Sequence, residues 1–275
     1  DPAATGILTP ATHALVRCRR VEPSPMTMRA RFGHAGFVAT PGFLNPGEVQ
    51  SCLQQLDRFI AEVVPGLPPE HVFYEDRKDL STLKQLQKIH EHDAWFSDFM
   101  NEKPRELAEE LLGSAVIPQN MQYFNKPPGV GQPTPPHQDG FYFKLDPPEA
   151  LTMWLALEEI DEENGCVRYI RGSHLRGMRP HGPTGTLGFS QGMTDFGSEA
   201  DQANEEIMPA SPGDLFAHHA LTIHRADKNA SETRTRRAIG FIFYSVNAKE
   251  DHAAREAYRV ELLRVQCGGQ ALGGR

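Results

Sequence analysis

The chain of 275 residues contains 28 Lys and Arg against 36 Asp and Glu, which gives a formal net charge of −8 at pH 7. Hydrophobic residues make up 39% of the sequence and charged residues 23%, a composition typical of a globular protein and too apolar for a disordered chain. The acidic balance argues against nucleic acid as a partner, because nucleic-acid binding needs clustered Lys and Arg on the surface.

The N-terminal part of the chain has helical patterns after a patternless start. Residues 1–27 show no periodicity and are predicted to be an unstructured extension, and residues 28–275 are predicted to form a single domain. Asn45-Pro46-Gly47-Glu48 combines an N-cap, a proline at the first helical position and an acid at the third, and apolar residues follow at helical spacing. A second helix is predicted from Pro104 to the stop at Gly113, so the first 113 residues are expected to be largely helical.

The remainder of the chain is rich in strand signals. Short apolar or alternating runs are separated by Gly, Pro and Asn, as expected for strands joined by turns. The runs cover residues 116–124, 141–143, 151–157, 166–170, 215–223 and 238–246. They predict an antiparallel sandwich or barrel, and the absence of a linker before them favours one α+β domain that is mainly β.

The cysteines and the apolar runs indicate the cellular compartment of the protein. The four cysteines are far apart and form no Cys-x-x-Cys pair, so neither a zinc knuckle nor a dense disulfide framework is indicated. The longest apolar run is far shorter than the roughly 20 residues that a membrane-spanning helix needs. No N-terminal stretch is typical of a signal peptide. These features predict a cytoplasmic protein without membrane contact.

The densest chemical signal is His137-Gln138-Asp139 in a predicted strand or at its edge. Residues i and i+2 of a strand lie on one face, so this imidazole and this carboxylate can reach one metal ion. His224 follows 87 residues later at the end of an apolar run. Two histidines and one carboxylate are the ligands of non-haem Fe(II) oxygenases and leave three coordination positions open.

An iron site of this kind can take a chelating 2-oxo acid and O₂ at the open positions. The far carboxylate of such an acid needs a cation close to the metal, preferably the bidentate fork of an arginine. Arg234, Arg236 and Arg237 precede the last predicted strand and are all candidates.

The order of these and further motifs resembles the phytanoyl-CoA dioxygenase family. The matched positions cover roughly residues 33–246. They are Asn125-Lys126-Pro127-Pro128, His137-Gln138-Asp139 with Tyr142-Phe143, Trp154, Asn164-Gly165-Cys166, Gly172-Ser173-His174, Pro212-Gly213-Asp214, His224, Asn229 and Arg236. The resemblance implies a double-stranded β-helix (jelly roll) core with flanking N-terminal helices. It also implies an Fe(II)- and 2-oxoglutarate-dependent dioxygenase that uses O₂ to hydroxylate a small molecule, with release of succinate and CO₂.

The family's site residues can be placed on this sequence. His137, Asp139 and His224 are then the iron ligands, and Arg236 anchors the far carboxylate of 2-oxoglutarate. Further contacts to 2-oxoglutarate fall on three residues: Gln122, Trp154 and Lys84. The chain departs from the family twice: Ala226 stands where a serine is common, and the loop before the arginine is one residue longer. The longer loop keeps Arg234 and Arg237 as alternatives to Arg236.

Other histidines and arginines have weaker claims to function. His90-Glu91-His92-Asp93 is metal-like in composition, but in a helical segment its members point around the axis, so a solvated face is expected. Of His218 and His219, at most one can face the barrel interior, with a packing or hydrogen-bonding role. The basic residues from Arg168 to His181, including Arg171, Arg176 and Arg179, predict a positive rim that attracts an anionic substrate.

Three rival functions use the same fold. A halogenase has chloride in place of the metal-binding carboxylate, and Asp139 argues against it. A catalytically silent metal-binding or sensing protein would keep the barrel, but the intact ligand set and arginine favour an enzyme. A cupin-like isomerase or hydrolase would need no 2-oxo acid.

Overall fold

The computed structural model describes residues 26–186, 189–257 and 260, so the predicted extension over residues 1–27 lies almost wholly outside the described residues. Seven α-helices are assigned in these ranges. They are α1 Met28–Ala35, α2 Pro46–Glu62, α3 Ile89–His92, α4 Ala94–Asn101, α5 Lys103–Leu112, α6 Gly140–Phe143 and α7 Glu199–Ala203. Within the same ranges, no helix combines the length and apolar character that a membrane span requires.

Fifteen strands are assigned in the described ranges. They are β1 Phe37–Thr40, β2 Val72–Tyr74, β3 Leu83–Leu86, β4 Val116–Phe124, β5 Thr134–His137, β6 Leu145–Asp146, β7 Ala150–Ala156, β8 Val167–Ile170, β9 His181–Thr186, β10 Phe189–Met193, β11 Glu205–Met208, β12 Leu215–His219, β13 His224–Ala226, β14 Ala238–Ser245 and β15 Lys249–Glu250.

Two sheets form the jelly roll that the resemblance implied. The major sheet has the order β1-β12-β7-β14-β4-β3-β2 and the minor sheet the order β11-β8-β13-β5. Every strand pair in both sheets is antiparallel. The two remaining strand pairs, β9 with β10 and β6 with β15, form separate two-stranded sheets. The prediction of an antiparallel β architecture is confirmed.

The central strands of the major sheet are buried on both faces. In β7 and β14, alternate residues such as Met153 and Phe241 join one apolar core with residues of α2, α4 and α5. The residues between them, such as Thr152, Trp154 and Ile242, line a cavity on the opposite face of the sheet. Because side chains alternate along a strand, the helices seal one face of the sheet while the other face is free to build a site.

Both predicted helices are present. Asn45 caps α2: its side chain accepts hydrogen bonds from the backbone of Gly47 and Glu48, and the Glu48 carboxylate accepts from the Asn45 backbone at 2.8 Å. The helix α5 begins one residue before Pro104 and ends at Gly113, which adopts a left-handed conformation with φ 69°. The cap and stop signals were therefore sufficient to place these helices.

One prediction of secondary structure is incomplete and another is wrong. The first 113 residues are less helical than expected, because β1, β2 and β3 all join the major sheet. These strands have only three or four residues each, too few for a periodic signal. The predicted strand over residues 141–143 is the one-turn helix α6. There the Phe141, Tyr142 and Phe143 backbones donate to Gln138 or Asp139 carbonyls, so the turn competes successfully with strand propensity.

Gly213 forms the turn that leads into β12. Its φ is +95°, and a Cβ at this position would lie 2.3 Å from the Leu44 carbonyl oxygen. The Gly213 carbonyl in turn accepts a hydrogen bond from the Leu44 backbone at 3.0 Å. The close backbone approach and the positive φ both require glycine here.

We expect Gly213→Ala to lower the free energy of unfolding by at least about 2 kcal/mol, because the variant combines a left-handed backbone with a steric clash. Urea denaturation measures this change. Gly66→Ala is the control, since Gly66 has an ordinary φ and no atom within 4 Å of the added Cβ. Equal stability of the two variants would contradict this role for Gly213.

Candidate metal centre

Three predicted ligands come together where the minor sheet ends. His137 is the last residue of β5, and the antiparallel pairing of β5 with β13 places it opposite His224. Their ring centroids are 4.1 Å apart. One ligand atom from each of His137, Asp139 and His224 lies within 4.8 Å of the others. Among the described residues, this is the only such group of three that could hold a metal ion.

Asp139 reaches the histidines by a route that the sequence pattern did not anticipate. It lies beyond the end of β5 with helical backbone angles, φ −59° and ψ −33°. Its Oδ1 atom is 3.4 Å from His137 Nε2 and 3.8 Å from His224 Nε2. The bend at the strand end, and not the alternation of a strand, brings the carboxylate to the imidazoles.

Backbone carbonyls orient both imidazoles. The Nδ1 atom of His137 lies 2.8 Å from the Pro135 carbonyl oxygen, and that of His224 lies 3.1 Å from the Thr222 carbonyl oxygen. A carbonyl can only accept, so each Nδ1 donates its hydrogen there, which leaves Nε2 as the nitrogen available to a metal ion. Contacts of this kind fix the tautomer of metal-binding histidines.

The two oxygens of Asp139 have separate roles. Oδ2 accepts a hydrogen bond from Thr152 Oγ1 at 2.6 Å and lies 3.0 Å from His218 Nε2. His218 Nδ1 is in turn 3.0 Å from the hydroxyl of Tyr169, which is fully buried. With Oδ2 engaged in this chain of hydrogen bonds, Oδ1 faces His137 and His224.

Burial and mutual proximity set the protonation states. Desolvation raises the pKa of Asp139, but its interactions with the nearby His224, His137 and His218 outweigh burial and hold this pKa well below its usual range. Burial, reinforced by His137 and His218, keeps the pKa of His224 well below its ordinary value. An ionised carboxylate beside a neutral imidazole is the state that a divalent cation requires of its ligands.

A cavity of about 430 Å³ joins these residues to Arg236. Gln122 and Trp154, two of the predicted cosubstrate contacts, also line it. Ala226 is a further wall residue, so the position where the resemblance led us to expect a serine presents only a methyl group to the cavity.

Arg236 is a buried cation without a carboxylate partner among the described residues. Its side chain is 5% exposed, and no described atom accepts a hydrogen bond from its Nε. The guanidinium carbon lies 5.3 Å from the ring centroid of Trp154. Burial lowers the pKa of Arg236 to about 10, so the group stays charged at neutral pH. A buried charge of this kind needs an anion to complete its environment.

The two alternative arginines are already paired. Arg234 binds Asp161 at 2.9 Å and also contacts Glu163. The Nε of Arg237 donates to Glu158 at 2.7 Å. Neither residue lines the cavity. The geometry therefore separates Arg236 from its two neighbours.

Lys84 does not join the predicted site. Its ammonium lies 3.2 Å from Glu75 Oε1, and its side chain is not part of the cavity wall. The next residue, Gln85, lines the cavity instead, with its Oε1 buried and without a hydrogen-bond partner in the described part of the chain. The alternation of β3 places the two side chains on opposite faces.

The predicted basic rim is not observed. Arg179 binds Asp201 at 2.7 Å, Arg168 binds Asp227 at 2.9 Å, and Arg171 is paired with Glu206. These arginines, together with Arg176, His174 and His181, are absent from the cavity wall. Carboxylates that the fold brings to the stretch pair with Arg168, Arg171 and Arg179, so the predicted basic rim, on which the prediction of an anionic substrate rested, is wrong.

The segment 90–93 is not the solvated face that was expected. His90 Nδ1 accepts a hydrogen bond from the Met121 backbone at 3.2 Å, and His92 Nε2 lies 3.1 Å from His71 Nδ1. Asp93 caps α4 and binds Arg58 at 2.6 Å. Each side chain has its own structural partner, and the group does not converge on one point.

Sequence reasoning missed Thr152 and Tyr169, and it left the role of His218 open. A signal was present, since each side chain with a polar group lies in a largely buried strand: Thr152 in β7, Tyr169 in β8 and His218 in β12. Polar groups in such strands need a partner. Their partner is Asp139, directly for two of them and through His218 for Tyr169.

Comparison with known proteins gives a consistent result. The sequence profile of the phytanoyl-CoA dioxygenase (PhyH) family matches residues 32–238. The chain is 30% identical over 183 residues to a phytanoyl-CoA dioxygenase of Arabidopsis thaliana, and the match covers 66% of this chain but only 61% of the plant protein.

Solved structures share the fold. EvdO2 from Micromonospora carbonacea var. aurantiaca, complexed with 2-oxoglutarate, superposes with a TM-score of 0.63 at 25% identity, covering 82% of this chain and 91% of that chain. The epimerase SnoN, in complex with Fe³⁺, alpha ketoglutarate and nogalamycin RO, has a TM-score of 0.64 at 24% identity, covering 81% and 84% of the two chains. The latter similarity indicates the fold alone.

His219 points away from the metal centre, and its burial makes the stability of the fold depend on pH. It packs near His174, with ring centroids 5.5 Å apart, and burial lowers its pKa to about 4. An unfolded histidine titrates near pH 6.5. Between pH 6.5 and 4 the unfolded chain therefore binds a proton that the folded chain does not, and this stabilises the unfolded state by up to about 3 kcal/mol.

We expect the stability of wild type to fall more steeply than that of His219→Gln as the pH is lowered from 6.5 to 4. Chemical denaturation at several pH values measures both curves. Parallel curves would show that the burial of His219 contributes nothing to acid sensitivity.

Proposed function

The chain belongs to the phytanoyl-CoA dioxygenase family, and we propose that it is an Fe(II)- and 2-oxoglutarate-dependent dioxygenase that hydroxylates a C–H bond of a small organic molecule, releasing succinate and CO₂. The observation that carries the proposal is the buried Arg236, which has no carboxylate partner among the described residues and lies in the same cavity as the cluster of His137, Asp139 and His224. The proposal does not include an anionic substrate. That prediction rested on the basic stretch, whose arginines pair with carboxylates and do not line the cavity.

The residues present fit the metal and the cosubstrate. Two imidazole nitrogens and one carboxylate oxygen suit Fe(II) and leave coordination positions open. His137, Asp139 and His224 would hold the iron, which with 2-oxoglutarate and O₂ supplies the oxidising power for the reaction. Arg236 would pair with the far carboxylate of 2-oxoglutarate, which satisfies the charge that the fold leaves uncompensated.

The protein's own contribution is positioning and exclusion of water. Thr152 and His218 hold Asp139 Oδ2 so that Oδ1 faces the imidazoles. Trp154 lies beside the Arg236 guanidinium and is itself only 6% exposed, so it shields the charge from solvent. A charge pair formed there is stronger than in water because the local dielectric constant is lower.

Asp139 and Arg236 also discriminate between the rival functions. A halogenase of this fold lacks the carboxylate that Asp139 provides. A catalytically silent metal-binding protein and a cupin-like isomerase have no need of an unpaired arginine near the metal. Release of succinate that depends on 2-oxoglutarate and a substrate separates the proposed enzyme from both.

Replacing a single ligand tests the metal centre. We expect His137→Ala, Asp139→Ala and His224→Ala each to abolish Fe(II) retention and turnover of 2-oxoglutarate, because each removes one of three protein ligands. Metal analysis after desalting and succinate assays measure the two effects, and circular dichroism confirms folding. Full turnover in any one variant would remove that residue from the ligand set.

Replacing the arginines one at a time tests the cosubstrate anchor. Loss of one partner from a buried, hydrogen-bonded charge pair costs about 2–5 kcal/mol. We therefore expect Arg236→Gln to raise the KM for 2-oxoglutarate by at least about thirtyfold, the equivalent of the lower figure. Arg234→Gln and Arg237→Gln are the matched controls and should change this KM little. A large increase in KM for either control variant, with none for Arg236→Gln, would show that Arg236 is not the anchor.

A further inference from the structure

The wall of β4 that faces the cavity is built from side-chain amides. Gln119, Asn120 and Gln122 of β4 line the cavity, and Gln87 extends the wall just after β3. A β-bulge explains how two consecutive residues can share a face: Ile242 pairs with Asn120 and Phe243 with Pro118, which leaves Gln119 without a partner. Bulges near active sites often redirect a side chain in this way.

The strand register places these amides relative to the metal centre. Gln122 and Trp154 both pair with Gly240, so they form one row of the wall. Asn120 and Thr152 both pair with Ile242 and form the next row. Thr152 contacts Asp139, so Asn120 and the adjacent Gln119 lie at the level of the metal cluster.

The amides have unused hydrogen-bonding capacity. In the described part of the chain, the side chains of Gln87 and Gln119 make no hydrogen bond, and Asn120 uses only its Oδ1, which accepts from the Lys88 backbone at 2.8 Å. Each free amide offers both a donor and an acceptor. A wall of half-buried amides with unused donors and acceptors is suited to a ligand that can supply both.

The charged side chains of the cavity wall are already committed. Among the described wall residues, the Lys and Arg side chains not assigned to 2-oxoglutarate are those of Lys88, Arg225 and Arg255. Lys88 binds Glu91 at 2.8 Å and Arg255 is paired with Glu250. Arg225 binds both Glu205 and Asp227, at 2.6 and 2.7 Å. No unpaired charge in this set is left for a substrate.

We propose that the amide face, defined as Gln87, Gln119 and Asn120, binds an uncharged group that donates and accepts several hydrogen bonds, as a primary amide or a polyol does. This inference rests on the proposed function for the identity of the site, and it adds the chemical class of the substrate. A carboxylate or phosphate would accept hydrogen bonds but would leave its charge unpaired in a low-dielectric cavity. An ammonium group would offer donors only.

The volume of the cavity limits the substrate further. About 430 Å³ lies at the lower end of the range of roughly 300–1,000 Å³ for small-molecule sites. The same space must also hold 2-oxoglutarate. The part of the substrate that the cavity encloses is therefore small, about the size of one sugar ring or a short amide.

A set of probes with one ring and different charges tests the proposal. Methyl glucoside and glucuronamide are uncharged, glucuronate is an anion and glucosamine is a cation at neutral pH. Ligand-observed NMR titrations would measure their affinities for protein loaded with Zn(II) and 2-oxoglutarate, since Zn(II) is diamagnetic and redox-inert. We expect the two neutral probes to bind more tightly than both charged ones. Comparing the affinities of methyl glucoside and glucuronamide distinguishes a polyol site from an amide site.

Variants tie the binding to the amide face. Gln119→Ala and Asn120→Ala should each weaken the neutral probes about three- to tenfold, the effect of one net hydrogen bond. Gln119→Glu should shift the preference towards glucosamine. Gln54→Ala is the control, because Gln54 is an exposed glutamine of α2 and its loss should change nothing. Thermal denaturation confirms that each variant is folded.

The outcomes are distinct from those of the proposed function. Tightest binding of glucuronate, binding unaffected by Gln119 and Asn120, or no binding of either neutral probe would each overturn the amide-face proposal. Failure of Zn(II) and 2-oxoglutarate to bind, with neutral probes still bound through Gln119, would overturn the proposed function and leave this inference standing.

Discussion

Arg236 carries a positive charge into the interior at a point where the described fold supplies no carboxylate to neutralise it. Neighbouring arginines show that the chain has acids available: Arg234 and Arg237 are paired with Asp161 and Glu158. The uncompensated charge is therefore a property of one position, and its free-energy cost is recovered when an anion binds there.

The metal cluster at the other end of the cavity depends on a second constraint. Asp139 would lose its charge if burial acted alone, and three imidazoles and the Thr152 hydroxyl keep it ionised. In this arrangement Asp139 Oδ2 contacts Thr152 and His218, and Oδ1 faces the other two metal ligands. The cavity therefore has an anionic metal-binding end and a cationic end, which matches a cosubstrate that both chelates a metal and bears a second carboxylate.

The sequence alone was sufficient where a signal is local. The cap at Asn45 placed α2, and the order of motifs around His137 and His224 indicated both the fold and the ligand cluster. The sequence could not decide which of the three arginines is the anchor. The acids that pair with Arg234 and Arg237 lie more than 70 residues away along the chain.

Other failures have the same physical origin. Lys84 and Gln85 differ by one residue, and only the pairing of β3 decides which of them faces the cavity. The basic stretch near Arg179 contains no acidic residue in the sequence. Asp195 and Asp201 follow in a separate segment, and the fold brings both to Arg179. Charge patterns in sequence give no account of partners that the fold brings together.

An anaerobic titration tests the central claim most directly, namely that one cavity binds a metal and a 2-oxo acid together. Fe(II) is added to the metal-free protein, 2-oxoglutarate follows, and the visible spectrum is recorded. We predict that the weak charge-transfer band of a chelate appears only when both are present and saturates at one equivalent of each per chain. Absence of the band with both present, or 2-oxoglutarate binding that is equally tight without metal, would contradict the account.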